Sequence, residues 1–197
     1  MSFITREFKP YFERSINPLI NFLSQKEVHP NTITLTGLLL IGVGSITLYL
    51  SMEIVALVLL STGALLDAVD GAVARKKGIE SEYGAFLDST IDRVSDALPF
   101  VALGFHYAEK GDQLNTLLSL LAIVSSFLVS YARAKAESLG IYGLGGIFER
   151  TERWIVLIIG LASGFIEIAL LFIIIGSTAT VVQRIAEVRK NLLRRHI

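Results

Sequence analysis

Residues 67–92 read DAVDGAVARKKGIESEYGAFLDSTID. Asp67 and Asp70 close one apolar run, Asp88 and Asp92 open the next, and Asp96 follows one turn later. Side chains three or four residues apart on a helix share a face, so each pair points one way. The link KKGIESEY, residues 76–83, is short enough to force the two helices antiparallel and to bring both pairs to one depth. Four carboxylates are therefore expected to converge.

The surrounding composition makes that convergence expensive. The chain has 197 residues, 52% of them hydrophobic and 18% charged, with a mean hydropathy of +0.60. Soluble domains carry nearer a quarter charged residues, so a bilayer is the expected solvent. Spanning helices need roughly 20 apolar residues, and six candidates follow from the pattern: 32–51, 54–74, 84–107, 114–137, 147–163 and 165–185. The expected fold is an all-α polytopic membrane protein in a single domain, 1–197. Residues 1–28 form an amphipathic helix on the membrane surface, 30–185 a six-helix bundle and 186–197 a basic tail. Asn31 and Thr32, after Pro30, offer caps for the first span. No apolar signal run precedes them.

Charge placement sets the orientation. The 18 Lys and Arg balance 18 Asp and Glu, which excludes an overall basic nucleic-acid binder. Six spans put both termini on one side. Of all the Lys and Arg, only Lys110 then falls opposite, and the positive-inside rule places the crowded face in the cytoplasm of a multi-pass cell-membrane protein.

Ionisable groups inside spans cost several kcal/mol and mark function. Four clustered anions stay ionised when cations neutralise them, and two divalent ions do so one for one. The chain has no Cys and three His, so oxygen ligation by Asp67, Asp70, Asp88 and Asp92 points to Mg²⁺, with Mn²⁺ or Ca²⁺ as substitutes, and to a phosphate-bearing substrate. Gly71 and Gly84 permit close approach, and Arg75 offers a fork to phosphate. Two other readings compete. Salt bridges explain one or two such acids better than five, and a cation or proton transporter needs polar groups across the whole membrane. Asp96, His106 and Glu167 are left unassigned.

The pattern Asp67-x2-Asp70-Gly71-x2-Ala74-Arg75-x8-Gly84-x3-Asp88-x3-Asp92 resembles the signature of the CDP-alcohol phosphatidyltransferases, with every spacing intact. The resemblance implies six spans, an amphipathic N-terminal helix, a homodimer and transfer of a lipid phosphate from a CDP-linked lipid to an alcohol, releasing CMP. It further implies metal ligation by the four aspartates, with Asp92 also the general base. Gly71, Arg75, Ser81 and Gly84 map onto the nucleotide pocket, and Asn31, Thr32, Ile33 and Thr34 onto the CDP-lipid site.

The acceptor is read from the second half. SYARAKAESLG, residues 130–140, and GGIFERTER, residues 145–153, bring Arg133, Lys135, Arg150 and Arg153 to the cytoplasmic ends of two spans. Such bases commonly anchor a protein at the interface, but four of them suit a second phosphate. Both runs resemble those of the phosphatidylinositol phosphate and archaetidylinositol phosphate synthases, which implies inositol phosphate as acceptor. Where those enzymes read Lys-Ala-Arg-Ala-Glu, this chain has Arg133-Ala-Lys135-Ala-Glu137, which keeps the charge and exchanges the fork. Glycerol 3-phosphate is the rival acceptor.

Overall fold

The computed structural model describes residues 14, 16–26, 28–79 and 81–195, and all regular structure among them is helical. Six long helices follow one another: α1 (Pro30–Tyr49), α2 (Glu53–Lys77), α3 (Glu82–Glu109), α4 (Gln113–Ser138), α5 (Arg150–Ser163) and α6 (Ile166–Arg195). The described residues divide into two compact units, one before and one after the boundary at Thr116 and Leu117. Each of the six expected runs is a helix. Among the described residues α1, α2, α4 and α6 are long and apolar enough to cross a membrane, which makes this an all-α membrane protein. Helix α3 has 28 residues but carries the acids. The 14 residues of α5 rise about 21 Å, short of a hydrocarbon core of roughly 30 Å.

In the first unit α1 packs on both α2 and α3. Its start is capped by His29, whose Nδ1 accepts the Asn31 N–H at 3.3 Å, with Pro30 in the first turn. The expected caps Asn31 and Thr32 thus lie inside the helix. Where α1 meets α2, glycines replace side chains. A Cβ on Gly63 would lie 2.6 Å from Ile41 Cγ1 and 3.0 Å from the Gly37 carbonyl oxygen. Small residues of this kind let two membrane helices approach until their backbones touch. The crossing lies one turn before Asp67 and so sets where the acidic end of α2 arrives. Helix α2 stops at Gly78, which is left-handed at φ 63°; its N–H and that of Ile79 return to the Arg75 and Ala74 carbonyls. Three residues later Ser81 caps α3, its Oγ accepting the Gly84 N–H at 3.0 Å.

The residues before α1 differ from expectation. The amphipathic pattern predicts a helix lying on the membrane surface. Residues 16–25 are helical throughout, but Ile16 and Ile20 are buried with Ile33 of α1 and Val69 and Val73 of α2, and Leu19 and Leu23 pack against the same cluster. Protein covers the stripe. Polar contacts fasten it: Lys77 Nζ donates to the Val28 carbonyl at 2.9 Å, and Lys76 Nζ to Asn21 Oδ1. Residues 1–13 of the expected amphipathic helix lie outside the described residues.

In the second unit α5 and α6 pack together through Gly160, where a Cβ would lie 2.4 Å from that of Ala169. The link 139–149 is pinned to α6. Thr180 Oγ1 accepts the Phe148 N–H at 2.9 Å, and the Phe148 ring covers Gly176. Arg184, 2% exposed, donates to the carbonyls of Val129 and Gly145 and to Glu149. Residues 186–195, expected as a tail, continue α6, and Val188 and Leu192 pack on Ala136, Ile141 and Leu144.

Adding one methyl separates a glycine at the α1–α2 contact from one facing open space. Gly63→Ala is expected to destabilise the protein by about 1–3 kcal/mol through overpacking. Gly42→Ala, where a Cβ meets nothing within 4 Å, is expected to be neutral or stabilising. Thermal unfolding of both variants in detergent, followed by Trp154 fluorescence, checks the contrast; equal midpoints would contradict it.

Candidate active site

The acidic end of α2 and the start of α3 meet as the spacing requires. Asp67, Asp88 and Asp92 each present one carboxylate oxygen, all within 4.8 Å of one another, and all three residues are half-buried. Two like charges at that distance repel by about 3–4 kcal/mol at an effective dielectric of about 20. An all-oxygen trio of this size, with no soft ligand nearby, suits a hard divalent cation. Arg93 Nη2 stands 3.7 Å from Asp92 Oδ2.

Asp70 is close but held differently. It is 4% exposed and lies within electrostatic range of Asp88 and Asp67. Its Oδ1 accepts the Gly71 N–H at 2.5 Å, and its Oδ2 accepts the Thr34 hydroxyl at 2.5 Å. So three of the four expected ligands form one oxygen cluster, and the fourth is tied to α1.

The residues expected to hold the CDP-lipid divide by burial. Asn31 is half-buried and Thr32 exposed at the start of α1, whereas Ile33 belongs to the apolar cluster beneath and Thr34 faces Asp70. Arg75 is exposed and folds back over Gly71, where a Cβ would stand 3.4 Å from its Nη1. Ser81 and Gly84 are joined by the α3 cap, and a Cβ on Gly84 would press on Ser81 Oγ at 3.0 Å. An exposed guanidinium in the last turn of α2 is chemistry for an anionic group. An apolar groove of about 740 Å³ between α1 and α3 is lined by residues such as Leu39, Gly42 and Leu98 and by none of these acids.

The four bases expected for the acceptor all belong to the second unit. Arg133 and Lys135 are exposed on α4, and Arg133 Nε is paired with Glu137 at 2.9 Å. Arg150 opens α5 half-buried, and Arg153, one turn on, is 3% exposed. Glu149 accepts Arg184 Nη2 at 3.2 Å and caps α5 reciprocally with Glu152. Two features escaped the sequence reading, the Thr34–Asp70 bond and the burial of Arg184. Arg184 was counted with the cytoplasmic bases, yet Ser177, Thr180 and Arg184 recur at helical spacing and are all buried. That polar stripe was the available signal.

The profile of the CDP-alcohol phosphatidyltransferases matches residues 27–186. The chain belongs to that family. An uncharacterized protein of Aquifex aeolicus is 57% identical over 98% of both chains. The archaetidylinositol phosphate synthase of Pyrococcus horikoshii is 35% identical, over 94% of this chain and 97% of its own. Among solved structures, phosphatidylinositol phosphate synthase of Mycobacterium tuberculosis with CDP-DAG bound superposes with a TM-score of 0.79 at 30% identity. The match covers 89% of this chain and 94% of that one. The same synthase in complex with manganese and citrate gives 0.78 at 29% identity, over 87% of each.

The protein is therefore an enzyme of phospholipid biosynthesis, a metal-dependent CDP-alcohol phosphatidyltransferase, and the transporter reading falls away. The carboxylate trio has the donor set and spacing to hold a divalent cation. Asp92→Asn is expected to abolish CMP release while leaving the protein folded, and Asp67→Asn and Asp88→Asn to weaken Mn²⁺ binding by about tenfold or more. Paramagnetic resonance titration of Mn²⁺ beside a CMP-release assay checks both. Near-normal turnover by a monodisperse Asp92→Asn sample would remove that residue from the chemistry.

Proposed function

We propose that this enzyme transfers the phosphatidyl or archaetidyl group of a CDP-linked lipid to inositol phosphate and releases CMP. The observation that carries the proposal is similarity along almost the whole chain to synthases named for inositol phosphate lipids, at 35% identity in one case and a TM-score of 0.79 in the other. The Mycobacterium tuberculosis relative has been seen with CDP-DAG, which supports a CDP-linked lipid as donor here.

The chemistry follows from the residues in place. Asp92 takes the proton of the acceptor hydroxyl as its oxygen attacks the lipid-side phosphorus. A new P–O bond forms, the bond from that phosphorus to the bridging oxygen of CMP breaks, and CMP carries away the electron pair. When bound, two Mg²⁺ ions held by Asp67, Asp70, Asp88 and Asp92 would offset charge on the diphosphate and on departing CMP. Arg75 binds the nucleotide phosphates, with Gly71 and Gly84 permitting close approach and Ser81 beside them at the start of α3. Asn31 and Thr32 line the donor site at the start of α1. Arg150 and Arg153, helped by Arg133 and Lys135, select the acceptor's own phosphate.

The distribution of bases supports six crossings, with the site and both termini in the cytoplasm, because that arrangement leaves Lys110 alone opposite. The assembly proposed is a homodimer.

The acceptor is tested by measuring CMP release with CDP-diacylglycerol and with CDP-archaeol against inositol phosphate, glycerol 3-phosphate, inositol and serine. Inositol phosphate is expected to be the acceptor used; faster turnover with glycerol 3-phosphate would replace this reading with a phosphatidylglycerophosphate synthase. Arg150→Ala is expected to raise the apparent KM for inositol phosphate by about tenfold, the value of one lost charge-assisted contact, and to leave that for CDP-lipid near its starting value. Equal changes in both constants would return Arg150 to interfacial anchoring.

A further inference from the structure

We infer that Thr34 is a positioning residue for the metal ligand Asp70, acting through its hydroxyl from the neighbouring helix. The inference rests on the metal-dependent reading of the aspartates and assigns Thr34 a task other than touching lipid.

Burial is the first argument. Thr34 is 6% exposed and Asp70 4%. Around them Ile33, Val69 and Val73 form the apolar cluster that the N-terminal helical residues seal. A hydroxyl in that position is not offered to a ligand arriving from solvent.

Hydrogen-bond arithmetic is the second. Thr34 Oγ1 has one proton and two acceptors in reach, the Pro30 carbonyl at 3.2 Å and Asp70 Oδ2 at 2.5 Å. The shorter, charged acceptor takes it. Oδ1 is meanwhile fixed by the Gly71 N–H. Both carboxylate oxygens are thus held, and the plane of the carboxylate cannot turn. Each oxygen of an ionised carboxylate retains a further lone pair after accepting one hydrogen bond, so a held Asp70 can still bind a cation. This is the relation in which an outer group orients a metal ligand, and removing such a group costs about 10–100-fold in metal affinity.

Geometry supplies the third argument. The bond joins α1 to α2 one helical turn from Gly37, whose Cβ position lies 3.2 Å from the Gly63 carbonyl oxygen. The backbone contact fixes the separation of the two helices, and the threonine reaches across it. A serine can repeat the bond; a valine of the same shape cannot.

The test titrates purified protein in detergent with Mn²⁺ alone, without lipid or acceptor, by paramagnetic resonance. Thr34→Val is expected to bind Mn²⁺ about 10–100-fold more weakly than the starting protein, with Thr34→Ser close to it. In an Asp70→Asn background, Thr34→Val is expected to add nothing, because the group it orients has gone. Thr34→Ala, which also lacks the hydroxyl and adds no bulk, is measured in parallel should valine prevent folding. Unchanged Mn²⁺ affinity in both hydroxyl-free variants, with a raised KM for CDP-lipid, would overturn the inference and make Thr34 a lipid contact. Tighter Mn²⁺ binding would overturn it in the other direction, showing that the bond holds Asp70 away from the cation. Absence of Mn²⁺ binding by the unsubstituted protein would instead overturn the metal reading itself.

Discussion

The constraint on which this structure depends is the repulsion among carboxylates held together where water is scarce. Asp67, Asp88 and Asp92 come within 4.8 Å, and at that range each pair costs about 3–4 kcal/mol. The surrounding structure must therefore fix the ends of the helices that carry them. The means are local and inexpensive. Glycines bring α1 and α2 to backbone contact, a left-handed Gly78 ends α2, and Ser81 starts α3 three residues later. Each device fixes where a helix ends, and the ends carry the acids.

Much of this was legible in the sequence, because the relevant information is periodic. Asp67, Asp88 and Asp92 were placed together by three- and four-residue spacing and a short link, with no knowledge of the rest of the fold. The six apolar runs became six helices for the same reason. What the period does not carry is which neighbour a side chain meets. Asp70 and Thr34 are 36 residues apart, and a threonine at the start of an apolar helix reads equally well as a cap, a back-bonded hydroxyl or a substrate contact. The apolar stripe at Ile16, Leu19, Ile20 and Leu23 was read correctly as a stripe. Its partner was not, since lipid and a buried isoleucine cluster impose the same pattern on a helix.

Arg184 shows the same limit from the electrostatic side. Counting bases places it with the cytoplasmic charges, and the count is indifferent to whether a guanidinium is solvated. The structure places it at 2% exposure, donating to the carbonyls of Val129 and Gly145 and to Glu149. A buried charge on this scale is sustained only by a full set of hydrogen bonds. Those it makes tie α4, the link before α5 and the cap of α5 to one residue of α6. Arg184 is thus a strut for the segment that presents Arg150 and Arg153, and its own positive charge is spent on that task.

The two units handle charge in complementary ways, and the difference follows from what each must leave accessible. In the first, three carboxylates are gathered half-buried, and a fourth, Asp70, is buried and bonded to Thr34 and the Gly71 N–H. A site so built gains stability when a cation arrives, because binding to the folded state alone shifts the folding equilibrium. In the second, opposite charges are matched internally: Arg184 with Glu149, Arg133 with Glu137. Metal loading is therefore expected to stabilise the helices that carry the aspartates, while the frame around Arg184 depends on hydrogen bonds that the cation does not touch.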